Sequence, residues 1–153
     1  METKLPCPAH LRSHLGFWMR FVSNHVSGTF AGRLAARKVT VPEWAFLREL
    51  YERDLAPSVL AERLAMTRGA ITKLADRLIR RKLVQRRADP ADGRAQRLTL
   101  THAGRDIVPQ LSALADANDA EFFAFLSDAE RRSLDRILRK IVRRHGLTVI
   151  PTQ

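Results

Sequence analysis

Arg68, Thr72, Lys73 and Arg77 lie off the apolar stripe that Ile71, Leu74, Ala75 and Leu78 make at helical spacing. Guanidinium, ammonium and hydroxyl groups on one exposed helix face suit hydrogen bonding to base edges and phosphates, and Gly69 and Ala70 between them permit close approach. The chemistry this pattern favours is binding of a polyanion. Turnover is not expected, because the chain carries no phosphate-cradling glycine loop, no His-Glu-x-x-His and no glycine-flanked nucleophilic serine. Charge is concentrated in the same place: residues 67–105 hold eleven Lys or Arg against three Asp, which is +8 of the whole chain's +11. A cationic segment between near-neutral flanks is the footprint of a nucleic-acid site, although a solvated basic helix would have the same composition.

The elements that must carry these residues follow from the neighbouring pattern. A short helix opening at Pro57 has Val59, Leu60, Ala61 and Leu64 on one side, the small Ala61 standing where a second helix passes close. Thr67 is placed to cap that second helix by accepting from a first-turn N–H. Beyond it, Leu83–Arg87 and Arg97–Thr101 read as two strands of a hairpin, with Leu98 and Leu100 alternating with polar neighbours, and Ala88-Asp89-Pro90-Ala91-Asp92-Gly93-Arg94 forms its tip. Helix, turn, helix and hairpin make a winged helix-turn-helix, with the paired helices at about 57–81 and the wing at about 83–101.

Both flanks are helical. From about Ala9 to Arg37, Leu11, Leu15, Trp18 or Met19, Val22, Val26, Phe30 and Leu34 step by three and four, giving a stripe too long for so small a body to cover. A helix from Pro42 to about Glu52 carries Trp44, Leu47, Leu50 and Tyr51, and together with the helix-turn-helix and wing it makes a lobe of about 42–101. A helix from about His102 to Leu126 contains Pro109. A last one follows the capping box Ser127-Asp128-Ala129-Glu130 and stops at Gly146, with Leu134, Ile137, Leu138, Ile141 and Val142 along one line. The fold class expected is mainly α with a small β-hairpin, one domain over 1–153, in which helices at about 9–37 and 102–146 pair with their symmetry mates in a two-fold dimer.

The run Leu74 to Gly104 resembles the MarR family of bacterial transcription regulators. The resemblance rests on Asp89-Pro90, Asp92-Gly93-Arg94 and Leu100-Thr101-His102-Ala103-Gly104, and the likeness in helix order extends over nearly the whole chain. It implies a homodimer on a pseudo-palindromic double-stranded operator, usually as a repressor, with recognition helices in successive major grooves about 34–36 Å apart. Carried over by position, Arg94 is the minor-groove residue and Asp92 the acid that steadies it. Thr72, Lys73, Arg68 and Ala70 are then expected nearest base edges, Thr67 and Arg77 on or near phosphates, and Arg86, Arg87 and Arg97 on flanking backbone or simply exposed. The sequence departs from the family at Lys82, where glycine is usual. Lysine costs up to about 1–2 kcal/mol in a left-handed conformation, so a different helix end is expected here.

The resemblance also implies a small, often aromatic or phenolic ligand between the dimer helices and the DNA-binding lobe. His14, Phe17, Trp18 and Phe21 on the first helix and Trp44, Leu47 and Tyr51 on the second are suitable walls, with Arg20 or Arg48 to hold a carboxylate. The same aromatics also read as ordinary core. One branch of the family senses hydroperoxides through a cysteine whose position here is Gly16, so that route is not expected, and Cys7 between two prolines belongs to no metal pattern. His10 and His14, four apart, lack further ligands in their segment, so no metal and no cofactor are expected. No apolar run approaches the roughly 20 residues that span a bilayer, and the first residues lack a signal peptide's pattern, so a cytoplasmic protein is expected. A reading from another class stays open: a DNA-architecture or anti-silencing protein with this fold and no small-molecule input.

Overall fold

The computed structural model describes residues 10–152, so Cys7 and the prolines beside it lie outside the described residues. A single 3-10 turn at Leu11–Ser13 precedes α1 (Leu15–Ala35), followed by α2 (Val41–Glu52), α3 (Pro57–Arg63) and α4 (Arg68–Arg80). The hairpin β1 (Val84–Ala88) and β2 (Gln96–Leu100) comes next, then α5 (His102–Phe122) and α6 (Asp128–His145). This is the winged helix-turn-helix order the sequence predicts, with α1 before it and α5 and α6 after it.

The core explains the order. Phe46, Leu47 and Leu50 of α2, Leu60 of α3 and Ile71 and Leu78 of α4 are wholly buried, together with Leu98 of β2 and Leu111 of α5. Each such side chain contributes about 1.5–3 kcal/mol by leaving water, so α2 to β2 close on one another around a shared centre. The strands pair antiparallel with Val84 opposite Leu100 and Arg86 opposite Leu98, and Leu55 adds a short bridge to the other edge through two backbone bonds with Leu98. That third segment, with α5 above, is why Leu98, Thr99 and Leu100 are all buried where simple alternation would leave Thr99 in water.

The glycine of the Leu-Thr-x-x-Gly pattern has a packing reason. The first turn of α5 sits on the turn that leaves α4: the Thr101 N–H donates to the Leu83 carbonyl at 3.0 Å and its hydroxyl to the Lys82 carbonyl at 2.6 Å. A β-carbon on Gly104 would overlap that same Leu83 oxygen. Only glycine lets the helix approach so closely.

α5 ends at Phe122 rather than near Leu126, because the chain turns through Phe123 to Leu126 before the Ser127 capping box opens α6. α1 begins at Leu15 for a comparable reason: His14 is extended and closes the preceding turn. α1 packs along α5 near its C-terminal half, where Leu34 is its one buried residue, while Leu15, Trp18, Phe21 and Val22 stay exposed. α6 buries nothing, and Leu134, Ile137, Leu138 and Val142 are all exposed. Val59 of α3, expected on the buried side, is exposed as well. No described helix is long and apolar enough to cross a membrane.

The expectation that Lys82 avoids a left-handed conformation is corrected. Its φ is +57°, and α4 closes through the Leu83 N–H on Leu78 O and the Lys82 N–H on Ile79 O. α1 and α3 close the same way through Lys38 and Ala65, at φ +55° and +48°. This is the Schellman closure: Val39, Met66 and Leu83 follow the left-handed residue, and tucking these apolar side chains inward offsets the strain of a non-glycine turn. Lys82→Gly is therefore expected to stabilise the fold by about 1 kcal/mol, since it removes the strain at a position already left-handed. Denaturant unfolding of both proteins measures this; an unchanged or lower midpoint would show that Lys82 is unstrained.

Candidate nucleic-acid interface

α4 presents the expected face. Thr67 caps it, its hydroxyl accepting from the Ala70 N–H at 3.1 Å, and Ile71, Leu74, Ala75 and Leu78 anchor its buried side. Arg68, Gly69, Thr72, Lys73 and Arg77 are exposed, and Ala70 is half-buried. The hydroxyl of the exposed Thr72 donates to the Arg68 carbonyl at 3.0 Å.

The wing is held by its own carboxylates. Asp92 accepts from the backbone N–H of Arg94 at 3.0 Å, closing the tip with the Arg94 side chain exposed, while Asp92 O accepts from the Ala95 N–H at 2.9 Å. Asp89 accepts from the Ala91 N–H at 2.8 Å and from Arg97 Nε at 2.6 Å, and a second Arg97 nitrogen reaches Asp54 O. The Arg97 guanidinium, followed by the Ala91 N–H, holds the Asp89 carboxyl below its ordinary pKa. Arg97 is therefore built into the wing's base. Arg86 likewise pairs with Asp76 of α4 at 2.7 Å, whereas Arg87 is exposed.

A second pairing seats the other side of α4. Glu43, buried on α2, lies 3.7 Å from Arg77 and 3.5 Å from Arg81. Glu43 and Asp89 are not among the candidate site residues of the sequence, where they stand only in a helix opening and in the Asp89-Pro90 motif. The capping pattern Thr40-x-x-Glu43 and the Asp89-Pro90 step were visible signals, but their arginine partners are brought to them only by tertiary folding.

A cavity of about 550 Å³ lies between α1 and α2, lined by Ser23, Asn24, Phe30, Trp44, Arg48 and Ile150 among others. Of the residues expected around a ligand, it includes Trp44 and Arg48. His14, Phe17, Trp18 and Phe21 do not line it: they sit before or in the first turns of α1, and α2 meets α1 farther along, where Phe30 packs edge-on against Trp44 at 6.3 Å. Leu47 is core and Tyr51 is exposed beneath the Arg48 guanidinium, which also pairs with Glu52. The C-terminal segment forms one wall, tied down by the Ile150 N–H on Arg63 O at 3.1 Å, a contact with no precedent in the sequence pattern. Among the described residues no group of three or more His, Cys, Asp or Glu is placed to hold a metal.

Comparison with known proteins settles the lineage. The MarR family profile matches residues 38–95. The transcriptional regulator HosA of Escherichia coli O111:H- is 30% identical over 105 residues, covering 68% of this chain and 78% of HosA. This chain belongs to the MarR family. A solved structure described as a probable transcriptional regulator from Pseudomonas aeruginosa is 30% identical, covering 86% of this chain and 99% of the other with a TM-score of 0.72. Bordetella bronchiseptica BpsR, 26% identical, covers 88% and 97% with a TM-score of 0.75. HosA is a transcriptional regulator by name, and the Pseudomonas aeruginosa protein a probable one.

Because the folded pKa of Asp89 is depressed, its contribution to wing order is fully present above the ordinary carboxylate value of about 3.9 and is lost as pH falls through the lower folded value. Asp89→Asn is expected to mimic that loss at neutral pH: hydrogen-exchange protection of the Ala91 amide drops while global unfolding changes little. Undiminished protection at Ala91 would show that the wing does not depend on this carboxylate.

Proposed function

We infer that this MarR-family protein is a homodimeric transcription repressor that binds a pseudo-palindromic operator and is released by a small aromatic ligand. The observation that carries the DNA-reading half is the exposed face of α4, Arg68 to Arg77, with the exposed Arg94 at the end of a wing projecting beside it. Thr72, Lys73, Arg68 and Ala70 face base edges in the major groove, and Thr67 and Arg77 face phosphates. Arg94 enters the adjacent A·T-rich minor groove, whose deeper negative potential attracts a guanidinium, with Asp92 fixing the backbone it extends from. Arg87 adds a flanking phosphate contact. Arg86 and Arg97 contribute through the wing they brace, and reach the backbone only with the part of each guanidinium left free by Asp76 and Asp89.

Dimerisation is supported by the apolar faces of α1 and α6 that the chain itself leaves uncovered, including Leu15, Trp18, Ile137 and Leu138. Two-fold pairing through those helices, at about 9–37 and 102–146, would bury them and set two copies of α4 for half-sites one helical turn apart. The ligand half rests on the cavity walled by Trp44 and Arg48, an aromatic face beside a cation, and on BpsR, whose DNA binding is regulated by 6-hydroxynicotinic acid. His14, Phe17, Trp18 and Phe21 would act in ligand binding only if a partner subunit closes a second wall near the α1 N-terminus.

Selecting bound duplexes from random sequence and then challenging the complex with aromatic acids and phenols tests this reading. Release of one preferred site by one such compound is expected; shallow preference without release would favour an architectural protein. Arg94→Ala is expected to weaken binding to the selected duplex by more than about 1 kcal/mol, the lower end of a good groove contact. An unchanged titration would remove Arg94 from the interface.

A further inference from the structure

We propose that Glu43 is the positioning residue that sets the roll of the recognition helix, and so the sequence discrimination of the protein. The proposal rests on the reading of α4 as the DNA-contacting helix. Glu43 is 4% exposed, an unusual place for a carboxylate unless its oxygens are engaged. Oε2 accepts from the Thr40 N–H at 2.8 Å and lies 3.5 Å from Arg81, and Oε1 lies 3.7 Å from Arg77. The acid itself cannot swing, because the Thr40 hydroxyl also accepts from the Glu43 N–H, closing a capping box at the start of α2.

Arg77 lies in the last turn of α4 and Arg81 is its C-cap, four positions on, so one fixed carboxylate faces two cations at the end of the helix. Asp76, one position along the helix, is held by Arg86 of β1 at 2.7 Å. Neighbouring positions on a helix point about 100° apart, so these two attachments resist rotation of α4 in both senses. Rotation matters unequally for the two kinds of DNA contact. Base-edge hydrogen bonds tolerate little displacement, whereas long arginine and lysine side chains follow a phosphate through a small roll. Glu43 therefore acts on discrimination more than on affinity for DNA in general. Its anionic charge opposes phosphate binding, so a merely electrostatic role would have the opposite sign on the preferred site.

The same turn of α2 faces the cavity on its other side, through Val41, Trp44 and Ala45. A ligand that displaces this turn moves Glu43 with it. The recognition helix then loses its reference on α2 while keeping the one on β1.

Glu43→Gln is the informative variant, since glutamine also serves in a capping box and keeps the volume while removing the charge. Binding to the duplex selected by the unsubstituted protein and to a scrambled duplex is measured at several salt concentrations, with thermal unfolding alongside. The ratio of the two affinities is expected to fall about tenfold, the size of coupling seen in shared ion-pair networks, with scrambled-duplex binding unchanged or tighter. Arg81→Gln is the second variant; it weakens both duplexes by removing a cation and is expected to lower the ratio too. Two outcomes overturn the proposal: an unchanged ratio in Glu43→Gln, or a loss on both duplexes that tracks a lowered unfolding temperature. If the unsubstituted protein itself shows no preference, it is the DNA-reading function that fails, before the variants are compared.

Discussion

A helix that reads DNA must be bound firmly on one side and left bare on the other. In this chain Ile71, Leu74, Ala75 and Leu78 bury one side of α4, while Arg68, Thr72 and Lys73 on the other are exposed. Hydrophobic burial is non-directional and sets depth better than angle. Directional contacts come from charge, with Glu43 beside Arg77 and Arg81 on one flank and Asp76 paired with Arg86 on the other. The wing repeats this division: Leu98 and Leu100 root it in the core, and Asp89, Arg97 and Asp92 shape the part that projects.

Local patterns made the lobe readable. The stripe of α4, the Thr67 cap and the Ser127 capping box each depend on residues within four positions, and the folded chain has them where periodicity puts them. What periodicity does not contain is where one element crosses another. Trp18 and Phe30 lie on one stripe of α1, yet of the two only Phe30 packs on α2, so a ligand site sought among the aromatics of α1 took in Trp18 and missed Ser23 and Asn24. Glu43 with Arg77 and Arg81, and Ile150 with Arg63, are separated by more than 30 residues, beyond any local pattern. Lys82 failed in the other direction: a local penalty suggested a different turn, and burial of Leu83 outweighed it.

The terminal helices account for what a single chain leaves unfinished. α6 carries a regular apolar line and buries none of it, although the capping box and the left-handed Gly146 define both its ends. Such a helix gains little from propensity alone and is stabilised by whatever covers its apolar face. The cavity lies between α1 and α2, with the C-terminal segment at Ile150 to Thr152 as a further wall. Anything that fills it touches at once α1 and the turn of α2 that bears Glu43. Ligand and DNA would thus be linked through their preference for different placements of α4, which is what coupling between distinct sites requires.

Hydroxyl-radical footprinting of the protein on a duplex selected from random sequence is the most direct measure of whether α4 and the wing form one reading surface in a two-fold assembly. The account predicts two symmetric tracts of protection on one face of the duplex, centred one helical turn or about 34–36 Å apart, each flanked by a protected minor groove. A single unsymmetrical tract, or uniform protection without a preferred position, would contradict it.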